Sequence, residues 1–111
     1  MTETPGAAFH CEVESSVADG VKVTRVLCHG RLNNQTSGEV KEIVKPLIPQ
    51  GGVIEIDLTD VNVLDSSGLG TLVGLKVSAL HEGYCILKLV NLTPRVTELL
   101  KLTNLTQVFS S

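Results

Sequence analysis

Apolar and polar residues alternate from the start of the ordered pattern, where Phe9, Cys11 and Val13 occupy every second position. A period of two predicts a half-buried strand. Asp19-Gly20 supplies the chemistry of a tight hairpin turn, which needs residues that accept positive φ. A second strand is expected over residues 21–29, with a bulge near Arg25 where the alternation slips. The period then changes. Val40, Ile43, Val44 and Leu47 recur at helical spacing, Asn33 and Asn34 stand where a cap is needed, and Pro46 and Pro49 close the segment.

Gly51-Gly52 leads into a strand over 53–58 that puts Ile54, Ile56 and Leu58 on one face. A short connection over 59–64 reaches Asp65, and a helix over 67–81 follows, stopped by Gly83. On that helix Leu69, Leu72, Val73, Leu75, Ala79 and Leu80 share one apolar arc. Lys76 falls inside the arc, where it either snorkels along the sheet edge or meets a partner. Gly70, Gly74, Val77 and His81 lie on the opposite side, a shallow strip that suits a docking protein better than a substrate. A further strand is expected over 84–90, beginning at Tyr84. Pro94 suits the first turn of a last helix with Val96, Leu99 and Leu100 facing inward. Asn104 and Leu105 form its stop, and Val108-Phe109 seals one end of the core. The order β-β-α-β-α-β-α predicts an α/β fold, a mixed sheet of about four to five strands with three or more helices packed on it. Its β-α-β units should cross over right-handed between parallel strands.

A length of 111 residues suits one domain, placed at 9–111 after a flexible N-terminal segment over 1–8. With no Trp, one Tyr and two Phe, the core must be aliphatic, and no aromatic platform exists for stacking bases. The net charge of −3 also argues against nucleic acid as a partner. No apolar run approaches membrane-spanning length, and residues 1–8 lack a secretory signal, so a cytoplasmic protein is expected. Cys11, Cys28 and Cys85, odd in number and far apart, read as buried reduced thiols. Three Asn-x-Thr sites, beginning at Asn34, Asn91 and Asn104, are then chance matches to the glycosylation pattern.

Chemistry of its own is hard to assemble from this chain. Gly68-x-Gly70 opens a helix, but the third glycine of a dinucleotide turn falls one residue late at Gly74. A triad of Ser66, His29 or His81, and Asp57 or Asp65 lacks the Gly-x-Ser-x-Gly elbow. His10, His29 and His81 lack metal-ligand spacing. No metal, cofactor or catalytic group is expected.

The informative segment is Asp65-Ser66-Ser67-Gly68-Leu69-Gly70, where an apolar stretch becomes a helix. Ser66 or Ser67 can cap that helix, which is the plain structural reading. Gly68 and Gly70 keep the first turn free of bulk, so another backbone can approach. A helix start also tolerates an anion, so phosphorylation would add about −1.5 to −2 charge there without breaking the fold. The same charge would disrupt an interface built on the neutral hydroxyl.

This segment, preceded by Ile56-Asp57-Leu58 and followed by Leu72-Val73-Gly74, resembles the signature of STAS-domain anti-sigma factor antagonists. Gly30-Arg31-Leu32-Asn33, Asn91-Leu92-Thr93-Pro94 and Leu102-Thr103-Asn104-Leu105 extend the resemblance from about Phe9 to Phe109. It implies that Ser66 is phosphorylated by a partner that is both anti-sigma factor and serine kinase, and that a phosphatase can reverse this. Together with the outer strip of the helix, it gives an expected partner surface of Arg31, Asn33, Asp65, Ser66, Ser67, Gly68, Gly70, Gly74 and Val77, on a monomer or weak homodimer. Where the family has an acidic loop, this chain has Arg31 and Asn33, and Arg31 either attracts a phosphate on Ser66 or is a solvated loop residue. The competing expectation is a non-switching STAS scaffold subunit of a stress-signalling or lipid-transport complex.

Overall fold

A computed structural model describes residues 9–83 and 85–109; the segment over 1–8 and the strand start at Tyr84 lie outside them. The strands are β1 (His10–Ala18), β2 (Val21–Leu32), β3 (Gly52–Leu64) and β4 (Cys85–Val90). The helices are α1 (Ser37–Val44), α2 (Ser66–Glu82) and α3 (Pro94–Leu102), with 3₁₀ turns at Lys45–Gln50 and Thr106–Phe109. The sheet order is β1-β2-β3-β4. The first pair is antiparallel and the other two are parallel, so the sheet is mixed as the element order implies.

Asp19 and Gly20 both take positive φ, 52° and 79°, the requirement of a type I′ turn. The hairpin they close keeps one unbroken register from Ala18↔Val21 to His10↔His29. Of the alternating residues, Phe9 is buried and Cys11 packs partly buried against the core, but Val13 is 48% exposed where the edge strand β1 runs past it. The bulge expected near Arg25 is also displaced. The register shifts lie between Leu27 and His29 and between Gly30 and Arg31, on the β3 side, where β2 must stay paired with a longer partner.

That partner is β3. The connection expected over 59–64 is strand, pairing His29 with Asp60, Gly30 with Val61 and Leu32 with Leu64. Its polar residues Thr59, Asp60 and Asn62 hide this in the sequence, although Val61 and Leu64 are buried. One face of the sheet supplies Thr24, Val26, Cys28, Ile54, Ile56, Leu58, Cys85 and Leu87, all buried. Val40 and Val44 of α1, Leu69, Leu72, Leu75 and Ala79 of α2, and Val96 and Leu100 of α3 join the same apolar cluster. The core is aliphatic, as the composition requires.

Local corrections follow from capping and packing. Asn33 and Asn34 do not cap α1, whose N-cap is Thr36 without a side-chain bond. Asn33 instead folds the turn before it, its Oδ1 accepting from Gln35 N at 2.9 Å and Thr36 N at 3.2 Å. Lys76 does not snorkel to water. It is 2% exposed, and its Nζ donates to Leu87 O on the edge strand at 2.8 Å, which satisfies the ammonium inside. Leu80, expected in the inward arc, is 64% exposed at the rim of α2, beside exposed Ile86. The last helix ends as read. Asn104 takes φ 59°, its N–H bonds Lys101 O, and Leu105 N–H bonds Leu100 O at 2.9 Å, a Schellman closure.

Candidate functional site: the start of the long helix

The parallel pair β2–β3 delivers two chain ends to one place, because Arg31 pairs with Val63 and Leu32 with Leu64. Asp65 follows directly. Its backbone is extended (φ −102°, ψ −174°), its N–H bonds Leu32 O at 3.3 Å, and its Oδ1 accepts from Gly68 N at 2.9 Å. The cap of α2 is therefore Asp65, and neither Ser66 nor Ser67 performs that task. A carboxylate suits the position because free N–H groups and the helix dipole both favour an anion there.

The second oxygen of Asp65 reaches sideways. Asp65 Oδ2 accepts from Asn34 N at 3.3 Å, tying the 30–34 loop to the helix start. Within that loop Thr36 Oγ1 donates to Arg31 O at 2.6 Å and accepts from Asn33 N at 3.0 Å. Asn33, with its oxygen committed to the turn, presents less of itself than its position in the sequence implies. Arg31 is exposed, and its side chain makes no ion pair among the described residues.

Ser66 and Ser67 are exposed, and no hydrogen bond among the described residues holds either hydroxyl. Gly70 and Gly74 are exposed with open space where a Cβ would stand, and Val77 is 55% exposed. These residues run from the helix start along its outer face. Gly68 is different. It is buried, and a Cβ there would meet the carbonyl and side chain of Leu32 and the side chain of Leu64. Of the nine residues proposed for partner contact, Gly68 serves internal packing, and the other eight gather at this end or along this face.

The hydrolytic triad does not assemble. Asp57 is buried, accepting from Thr59 Oγ1 at 2.6 Å, Thr59 N at 2.9 Å and Asn91 Nδ2 at 2.8 Å. Burial acts to raise its carboxyl, but the bonds from Thr59 and Asn91 outweigh it and hold the group below its ordinary range. Asn91, at φ 54°, takes a left-handed turn that its side chain tolerates. No histidine is bonded to Ser66 among the described residues.

Sequence spacing missed a second cluster. His10 and His29 are direct partners across the hairpin, their rings stacked with centroids 4.7 Å apart. His29 Nδ1 lies 2.6 Å from Asp60 Oδ2, and His29 Nε2 lies 3.3 Å from Glu12 Oε1. The bond to Asp60 raises the His29 pKa most, against a lowering by burial and with further help from Glu12. On the neighbouring register position, Cys11 Sγ donates to Cys28 Sγ at 3.6 Å, and all three cysteines are free. That contact, with burial, pushes the Cys28 thiol up. Counting outward from Asp19-Gly20 would have found both pairs; spacing along the chain could not.

Comparison with known proteins identifies the family and the fold. The family described as "Mlab, STAS domain" matches residues 15–110. An anti-sigma-B factor antagonist of Listeria monocytogenes is 34% identical over 80 residues, covering 71% of this chain and 69% of that protein. One from Bacillus subtilis is 34% identical over 79 residues, covering 71% of this chain and 72% of that protein. In fold, the chain is similar to an anti-sigma factor antagonist from Mycobacterium paratuberculosis, with a TM-score of 0.74, 21% identity, and 98% of this chain and 88% of that one covered. The chain belongs to the STAS domain family, among its anti-sigma factor antagonists.

Proposed function

We propose that this chain is a phosphorylation-controlled binding switch that sequesters an anti-sigma factor and so frees a sigma factor. The observation that carries the reading is the division of labour at the start of α2. Asp65 takes the cap, and Ser66 next to it keeps an exposed hydroxyl with no structural bond among the described residues. Such a hydroxyl can be modified at little cost to the fold, while the charge it gains changes any surface laid against it. The partner is a serine kinase as well as an anti-sigma factor, and it brings the ATP; a phosphatase acting on Ser66 resets the switch. The chain itself contributes no catalytic group and works in the cytoplasm as a monomer or weak homodimer. Arg31, Asn33, Asp65, Ser67, Gly70, Gly74 and Val77 surround or extend the surface that Ser66 controls. Arg31 is an exposed cation at this end of the sheet, where the family pattern has an acid, and it belongs to the surface a partner meets.

Incubation with the cognate kinase and ATP should add one phosphate, mapped to Ser66 by mass spectrometry and lost in Ser66→Ala. A phosphate on Ser67 or Thr71, or none, contradicts the assignment.

A further inference from the structure

The His10–Glu12–His29 cluster has no part in the switch, and its three side chains bring ligand-type atoms together. All three side chains stand on one face of the β1–β2 hairpin, because His10 pairs with His29 and Glu12 is two residues along the same strand. One ligand-type atom from each lies within 4.8 Å of those of the other two. His29 Nδ1, 2.6 Å from Asp60 Oδ2, is placed to donate its proton to that carboxylate. With Nδ1 engaged there, Nε2 is the ring nitrogen turned toward β1. That Nε2 faces Glu12 Oε1 at 3.3 Å. Either a proton or a metal ion can join that nitrogen to the carboxylate.

We propose that His10, Glu12 and His29 bind a divalent transition-metal ion of the zinc class, with Asp60 as the positioning residue that orients the His29 ring. A proton satisfies only the line between His29 and Glu12 and leaves the ring nitrogens of His10, stacked on His29, unused among the described residues. A metal ion uses all three donors. Around a tetrahedral zinc ion, with bonds of about 2.0–2.2 Å, neighbouring donor atoms stand about 3.4 Å apart. The His29–Glu12 separation already has that value. His10 is exposed on its strand, and its ring turns out of the stack on His29 to aim a nitrogen at the ion. Two imidazoles with one carboxylate suit zinc-class ions rather than calcium or magnesium, which prefer oxygen donors. The carboxylate behind His29 is the outer partner that metal-bound histidines usually have. Glu12 and Asp60 together also carry the formal charge that one divalent ion neutralises. The site leaves coordination positions open to water, since His10 and Glu12 both face solvent. It sits about 10 Å along β2 from Leu32, at a rise of about 3.3 Å per residue, toward the end of the sheet that holds Ser66.

Calorimetric titration of the chelator-treated full chain with zinc chloride at neutral pH tests this. One saturable site per chain is expected, weakened at least tenfold in His10→Ala and in Glu12→Gln, both exposed positions whose fold is checked by circular dichroism. Asp60→Asn should weaken binding about 10- to 100-fold, the usual effect of losing an outer-shell partner. His81→Ala and Cys11→Ser should bind as the parent does. Absence of a saturable site, parental affinity in His10→Ala, or loss of binding in Cys11→Ser would each overturn the proposal.

Discussion

Asp65 holds Gly68 N with one oxygen and Asn34 N with the other, and this leaves the hydroxyl of Ser66 with no structural work. The adjacent glycines separate by the same logic. Gly68 lies against Leu32 and Leu64 with no room for a methyl group, whereas Gly70 faces open space on a helix. Gly68→Ala should therefore cost about 1–3 kcal/mol through overpacking. Gly70→Ala should stabilise by about 0.5–1 kcal/mol through helix propensity. Denaturant melts check both, and equal effects would contradict the assignment of one glycine inward and the other outward. Asp57 gives a pH-dependent test. Its carboxyl is held below its ordinary range in the folded chain, so its contribution is present above the unfolded value of about 3.9 and lost as pH falls through the folded one. Asp57→Asn should lower stability at pH 7 by about 1–3 kcal/mol, the worth of hydrogen bonds to a charged group. That difference should shrink as the medium is acidified below about pH 4. A constant difference across the range would mean the charge of Asp57 is not what its neighbours stabilise.

At the scale of elements, what could be read from the sequence was what repeats or punctuates. The type I′ turn at Asp19-Gly20, the stop at Gly83 and the closure at Asn104 are local chemistry, and each appears as the residues imply. Readings that depend on a distant partner fared worse. The 59–64 segment looks like a loop until β2 is placed beside it, with Thr59, Asp60 and Asn62 exposed among buried Val61 and Leu64. Lys76 looks misplaced in an apolar arc until Leu87 O is found within reach. The cap of α2 went to Asp65 rather than to either serine because a carboxylate can bridge the helix and the 30–34 loop at once. The outer face of α2 keeps Gly70, Gly74 and Val77 exposed as its periodicity implies. A bulky side chain there should block docking without harming the helix. Gly74→Gln is expected to stabilise slightly by helix propensity, yet to weaken partner binding at least tenfold, about 1.4 kcal/mol. Loss of the fold instead would place that strip in the core.

For the molecule as a whole, the mixed sheet brings distant segments to one end. β2 and β3 run parallel into the 30–34 loop and Asp65, so Arg31 and Ser66 share a surface although 35 positions separate them in the chain. The core behind that surface is a continuous aliphatic cluster drawn from all three helices described and from the sheet. Charge arriving at Ser66 therefore meets a rigid support, and its effect should appear in binding rather than in folding. The most direct measurement is calorimetric titration of the anti-sigma partner into the unphosphorylated chain and into the same chain phosphorylated on Ser66. The phosphate should weaken binding by about 100-fold, near 2.8 kcal/mol, while the thermal midpoint hardly moves. Equal affinity in the two titrations would contradict the switch and leave a chain that binds its partner whatever the state of Ser66.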